Sequence, residues 1–381
     1  MAAKNSGSKD PSSAAKNSGS KDDRKKSSTT TPKRKTECDD QCSMTSKPSK
    51  EKSDKNKVAW TKALMSKSCK AMSKEFNLRV KKLTVEGLHT DISEKNELKN
   101  RYGDVKCIDE TRVVLKSRKG DKDYIHANWI TVPDAPKYIC TQGPIKETTE
   151  DFWHMCHSEK VSIILMLCDF TEGDRDMEKC TKYFPMKTDE KMTFGDYTIT
   201  NTETLSDLKV EGTTTTTMSV TNKKGDVVKI KHVYMTSWAD QMAPLEAAPV
   251  VTLWKWTKKN FADRPIAVHC SAGVGRTCSF VGIDHAIYKI AGNAEFSLLD
   301  LIRDLRKQRY SAIQSHVQFL YLHYVIAEIF CQDKIVDRKV IDDGAFIQEY
   351  KKHCKRKTEK RAKDGKKQIK SVKDKDEKDD D

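Results

Sequence analysis

The run VHCSAGVGRTC, from Val268 to Cys278, sets a cysteine six residues before an arginine, with two glycines between them. Ile266, Ala267 and Val268 read as the end of a buried strand. Thr277, Cys278, Ser279 and Phe280, followed by VGIDHAIYKI, read as the start of a helix. Strand, tight loop and helix in that order aim backbone N–H groups and a helix N-terminus at one spot, which suits an anion. A phosphate ester dianion has three equivalent non-bridging oxygens. Ser271, Ala272, Gly273, Val274 and Gly275 can wrap those oxygens with N–H groups, and the two glycines allow backbone conformations that a Cβ resists. Arg276 adds a bidentate fork, the strongest side-chain match to phosphate. The same N–H groups and helix dipole favour a thiolate at Cys270. A thiolate beneath a bound phosphate is a nucleophile aimed at phosphorus. Thr277 adds a hydroxyl placed to stabilise the sulfur when it leaves. A lone cysteine after a strand is more often small, buried and inert. The arginine spacing and the paired glycines tip the balance toward chemistry here.

The elements around this loop predict a mixed α/β chain. Residues 59–78 read as a helix with Trp60, Leu64, Met72 and Phe76 on one face. Residues 137–141 and 161–167 read as strands. YTITNTETL, GTTTTTMSV and VVKIKHVYM alternate with period two around the turn signal NKKGD, which predicts antiparallel strands. Helices are expected over 249–261, 276–291, 295–308 and 315–331. The expected architecture is a mixed central sheet flanked by helices, its central strand feeding the Cys270 loop, in one domain over 58–335.

The formal net charge of +15 over 381 residues belongs to the ends. Residues 1–57 carry a net +7 and residues 351–381 a net +6, which leaves the middle nearly neutral. Residues 1–57 are rich in Ser, Lys, Thr and Asp and repeat AAKNSGSKD twice, so they are expected to be a disordered basic tail. Residues 336–381 are expected to be a charged tail, largely disordered or partly helical. PKRK at 32–35 and KRKTEKR at 355–361 suit weak polyanion or importin contacts. The twelve cysteines lack zinc-ligand spacing, and no signal-peptide pattern opens the chain. Reduced thiols in the cytoplasm, with the nucleus as second compartment, are the expectation. No apolar run is long enough to span a bilayer.

HCSAGVGRT resembles the signature loop of the protein tyrosine phosphatases. KNRY at 99–102 with Asp104, DYIHAN at 123–128, TQGP at 141–144, DFW at 151–153, KCTKYFP at 179–185, SWADQMAP at 237–244 and LRKQRYSAIQSHVQ at 305–318 resemble further motifs, in the family's order. The resemblance implies that family's twisted mixed sheet flanked by helices, and hydrolysis of phosphotyrosine in proteins through a phosphocysteine on Cys270. It implies Arg276 and the loop N–H groups as oxyanion holders, and Asp240, after Trp238, as general acid and then base. It implies Gln314, aided by Gln318, as the water-positioning pair, Tyr102 as the wall of a deep pocket and Asp104 as an anchor for substrate backbone. His269 would support the loop from behind, Glu172 would orient Arg276 and Lys179 would support the acid loop. No metal or cofactor is implied.

The chain departs from the family pattern at three places. Ala239 stands where the acid loop has proline, with Gln241 and Met242 following Asp240. Cys278 stands where glycine is usual, and His126 where asparagine is. Ala239 is expected to loosen the acid loop. A phosphotyrosine-binding domain without turnover is the main alternative and a dual-specificity phosphatase the second. The intact Cys270, Arg276, Asp240 and Gln314 weigh against the first, and Tyr102 within KNRY against the second.

Overall fold

The computed structural model describes residues 47–360, apart from 82, 119, 174 and 175, together with Lys363. The repeat and PKRK lie outside the described residues.

Eleven strands are described: β1 (Arg112–Val114), β2 (Tyr124–Ile130), β3 (Tyr138–Thr141), β4 (Ile163–Met166), β5 (Thr171–Glu172), β6 (Met177–Glu178), β7 (Lys191–Phe194), β8 (Tyr197–Leu205), β9 (Thr213–Asn222), β10 (Val227–Met235) and β11 (Ile266–His269). The helices are α1 (Lys50–Met65), α2 (Cys69–Arg79), α3 (Asp91–Lys95), α4 (Thr149–Ser158), α5 (Ala248–Asn260), α6 (Arg276–Gly292), α7 (Leu298–Arg306), α8 (His316–Gln332), α9 (Arg338–Asp342) and α10, over 345–360.

Nine strands form one mixed sheet in the order β1-β2-β3-β11-β4-β10-β9-β8-β7, and β5 and β6 pair separately. The central strands β3, β11, β4 and β10 run parallel. IILM of β4 and IAVH of β11 are buried throughout, as expected of strands covered on both faces. His269 is level with Thr141 on one side and with Met166 on the other, and Met166 is level with Tyr234. Four parallel strands therefore end at one edge, where an open α/β sheet offers its crevice. The loops leaving them carry TQGP, the Cys270 run, Glu172 and Asp240.

The predicted alternation appears as the β8–β9–β10 meander. Its β9–β10 turn is held by the Asn222 side chain, which accepts from Lys224 N and Asp226 N, both at 2.9 Å, with Gly225 at φ +86°. The helix expected over 59–78 is instead two. Ser66 turns its hydroxyl back on Ala63 O at the end of α1, and the Glu349 carboxylate accepts from Cys69 N at the start of α2. Trp60, Leu64, Met72 and Phe76 are buried as expected, but on two separate helices.

Candidate active site

Residues 270–275 link β11 to α6, and each of their carbonyls is engaged on the outside of the loop. Cys270 O faces His269 Nδ1 at 3.1 Å, and Ser271 O accepts from Gly143 N at 2.8 Å. Ala272 O and Gly273 O accept from Arg309 Nη2 and Nε, both at 3.1 Å. Val274 O accepts from Ile313 N and Gly275 O from Ser279 N, both at 2.9 Å. In a planar trans peptide the N–H points opposite to the preceding C=O. Outward carbonyls at 270–275 therefore turn the N–H groups of 271–276 inward, into a concave donor cradle.

The two glycines serve different needs. Gly273 has φ +70°, and a Cβ there would lie 2.1 Å from Thr141 O. Gly275 has an ordinary φ of −85°, so its need is space: a Cβ would lie 2.8 Å from Gln318 Nε2 and 3.3 Å from Gln314 Oε1. Both glutamine side chains thus reach the cradle rim. Gln318 Oε1 also accepts from Gln314 N and Ser315 N, each at 3.2 Å, fixing the turn that starts α8.

Arg276 is buried at the first turn of α6. Its Nη1 donates to Glu172 Oε1 at 2.6 Å and to Trp238 O at 2.7 Å, and its Nη2 lies 3.4 Å from Asp240 Oδ1. Burial works against its charge, but the carboxylates of Glu172 and Asp240 beside it help hold the guanidinium above its ordinary pKa. Among the described residues, Arg276 Nε and Thr277 Oγ1 are buried with no hydrogen-bond partner. Buried donors without partners are rare, and these two belong to the cradle's first helical turn.

Glu172 also accepts from Asp240 N, at 3.0 Å, so one carboxylate holds both the arginine and the loop that carries Asp240. Lys179 Nζ donates to Asp240 Oδ2 at 3.1 Å. The loop lies down on the cradle. Trp238 is buried, with its indole N–H on Met242 O and its ring edge-on to Tyr321. Ser315 Oγ donates to Gln241 O at 3.2 Å, and Gln241 sits at φ +55°.

Tyr102 is half-buried, and its hydroxyl is 2.8 Å from Ser271 Oγ, which joins the KNRY segment to the cradle rim. Asp104 is exposed beyond it. His269 is buried with Nε2 at 2.7 Å from the Tyr183 hydroxyl, which also meets His232 Nε2 at 2.6 Å. Burial pushes the His269 pKa down to about 4, so the ring backing the loop is neutral. Burial pushes the Cys140, Cys156, Cys168 and Cys180 thiols up, which keeps them protonated.

Three residues of this site carried no assigned role in the sequence reading. Arg309 is fully buried beneath the cradle and also binds Asn128 Oδ1 at 2.7 Å and His126 Nδ1 at 3.1 Å. His126, one of the departures, passes this contact on: its Nε2 lies 2.9 Å from Val105 O, next to Asp104. Arg101 donates to Gly143 O and Pro144 O, tying KNRY to TQGP. Both arginines lie inside motifs quoted for the resemblance, which was the only signal available. The departure at Cys278 causes no crowding: it is buried, with its sulfur 3.9 Å from Gly273 O.

A cysteine-bearing donor cradle, a buried arginine and a carboxylate loop meet on one sheet edge, an arrangement suited to holding a tetrahedral oxyanion. The family model described as protein-tyrosine phosphatase matches residues 96–328, and the chain belongs to that family. It is 33% identical over 261 residues to rat tyrosine-protein phosphatase non-receptor type 9, covering 63% of this chain and 43% of that protein. It is 33% identical over 268 residues to mouse tyrosine-protein phosphatase non-receptor type 18, covering 68% and 56%. The chain thus spans about half the length, or less, of these curated relatives. A solved structure described as the basis of the PTPN18 fingerprint on distinct HER2 tyrosine phosphorylation sites aligns with TM-score 0.58 at 28% identity, covering 69% of this chain and 92% of that one. Among the described residues, no helix is long and apolar enough to cross a membrane.

Proposed function

We propose that this chain hydrolyses phosphotyrosine in proteins by two displacements at phosphorus, with residues 58–335 as the catalytic domain. The Cys270 thiolate attacks phosphorus. An S–P bond forms as the bond to the tyrosyl oxygen breaks, and Asp240 gives that oxygen its proton. Arg276 and the N–H groups of Ser271, Ala272, Gly273, Val274, Gly275 and Arg276 hold the equatorial oxygens. Water positioned by Gln314 and Gln318 then attacks the phosphocysteine. Asp240 takes its proton, phosphate leaves and Thr277 stabilises the returning thiolate.

Glu172 orients Arg276, Lys179 steadies Asp240, Trp238 hinges the acid loop and His269 supports the cradle from behind. Tyr102 walls the pocket at a depth that excludes phosphoserine, and Asp104 anchors the substrate backbone. The observation that carries this reading is the outward engagement of all the carbonyls from Cys270 to Gly275, which turns the intervening N–H groups to one side as donors for a tetrahedral oxyanion.

The test is p-nitrophenyl phosphate hydrolysis across pH by the full chain. Wild type should turn over, Cys270→Ser should be inert and Asp240→Ala should lose at least ~100-fold in kcat, the scale of one general acid. Wild type as inert as Cys270→Ser would sink the reading.

Phosphotyrosine-bearing proteins are the proposed partners. The cytoplasm is the proposed compartment, with the nucleus second through weak importin or polyanion contacts of the basic ends. Unchanged location and polyanion binding after deletion of both ends would exclude those contacts.

A further inference from the structure

The family match ends at residue 328, yet α10 returns to the acid loop. Phe346, Ile347, Tyr350 and Cys354 are buried at one face of α10, at helical spacing. The Phe346 ring lies 6.2 Å from His323, and the Tyr350 ring is stacked 6.1 Å from Tyr321, the residue that packs on Trp238. Glu349 meets the start of α2 on the other side. The helix is therefore anchored to the body independently of the loop.

From that anchorage it reaches the loop's C-terminal end. Tyr350 donates its hydroxyl proton to Pro244 O at 2.6 Å, and Lys351 Nζ pairs with Glu246 Oε1 at 2.6 Å. Lys357 Nζ lies 3.5 Å from Gln241 O. The loop needs such a hold. Ala239 lacks the φ restriction of a proline. Gln241 sits in the left-handed region, which a side chain resists. A cavity of about 490 Å³, lined by Glu172, Ala239, Asp240, Pro244 and Thr358 among others, lies against the loop.

We propose that α10 is a strap for the acid loop: Tyr350, helped by Lys351, is a positioning residue that keeps Asp240 over the cradle. The inference rests on the reading of Asp240 as general acid. It assigns a segment outside the family match to the proton-transfer step, and it explains how Ala239 is tolerated.

Leaving-group dependence separates positioning of an acid from general support. Phenyl phosphate needs a proton on its departing oxygen, whereas 2,4-dinitrophenyl phosphate releases a stable anion without one. The full chain is compared with Tyr350→Phe, which keeps the stacked ring, and with Tyr350→Phe/Lys351→Met. The double variant should lose about tenfold in kcat/KM on phenyl phosphate, the effect of two lost hydrogen bonds. It should stay within about twofold on 2,4-dinitrophenyl phosphate and keep its affinity for inorganic phosphate, a tetrahedral ligand held by the cradle donors. If the double variant melts below assay temperature, Tyr350→Phe alone carries the test at about threefold. Equal losses on both substrates, or weakened binding of inorganic phosphate, would make α10 a mere support and overturn the proposal. So would unchanged rates in an active enzyme. A wild type inert on both substrates would instead overturn the phosphatase reading, and the strap with it.

Discussion

The Arg309 side chain lies directly beneath the cradle, with its Nε 3.1 Å from the carbonyl oxygen of Gly273. The same guanidinium reaches Ala272 O, Asn128 Oδ1 and His126 Nδ1. It pulls carbonyls down and thereby turns N–H groups up. Lysine cannot supply this fork. Arg309→Lys should leave two loop carbonyls poorly satisfied, at about 1–3 kcal/mol each. A fall of roughly 100-fold in kcat/KM on p-nitrophenyl phosphate is expected, with a lower melting temperature. Near-wild-type kinetics would show that the cradle holds its shape without Arg309.

Glu172 joins Arg276 to the acid loop through one carboxylate. Glu172→Gln keeps the shape and removes the charge. It should lower kcat by about tenfold or more, since the charge-assisted bond to Arg276 is worth roughly 1.5–3 kcal/mol. Steady-state kinetics on the variant measure this, and an unchanged kcat would leave Glu172 as a surface carboxylate.

Gly273 and Gly275 should fail differently. Gly273→Ala forces a Cβ against Thr141 O at a positive φ and should abolish activity and destabilise the fold. Gly275→Ala displaces the two glutamine amides. It should leave the first displacement largely intact and slow hydrolysis of the phosphocysteine. Rapid-quench kinetics should then show a burst of p-nitrophenol followed by a slow steady state. A Gly275→Ala enzyme without a burst would mean that the glutamines do not position water.

Stability should fall on the acid side of neutrality. Burial pushes the pKa of His126 down to about 3, His269 to about 4 and His323 to about 3, with Arg309 adding to the effect on His126. Each ring is neutral when folded and titrates near 6.5 when unfolded. The unfolded chain therefore binds more protons below that pH. Stability is fully present above about pH 6.5 and is lost as pH falls toward 4. Each histidine contributes a loss of roughly 1.5 kcal/mol between pH 6.5 and 5. Urea midpoints measured from pH 7.5 to 5 should decline steadily. A flat profile would mean that these rings take up protons in the folded protein as readily as in the unfolded chain.

What was legible in the sequence was local. The strand–loop–helix around Cys270 follows from adjacent residues, and the β8–β9–β10 meander from strict alternation. The roles of Arg101 and Arg309 were not legible, because nothing in a sequence separates a buried arginine bonded to distant carbonyls from a solvated one. The break between α1 and α2 was hidden because Trp60, Leu64, Met72 and Phe76 keep a roughly helical spacing across it. The need for glycine at Gly275 arises from Gln318, more than forty residues away. In α10 the lysines mask a narrow apolar face whose partners lie on α2, α8 and the acid loop.

The central claim is that Cys270 is a nucleophile that carries the phosphoryl group. The most direct measurement is mass spectrometry of the Cys270 peptide after acid quench, during turnover of p-nitrophenyl phosphate by Asp240→Ala and by wild type. A mass increase of one phosphoryl group on Cys270, absent from Cys270→Ser, is the predicted result. Turnover without that adduct at any quench time, or turnover that survives in Cys270→Ser, would contradict it.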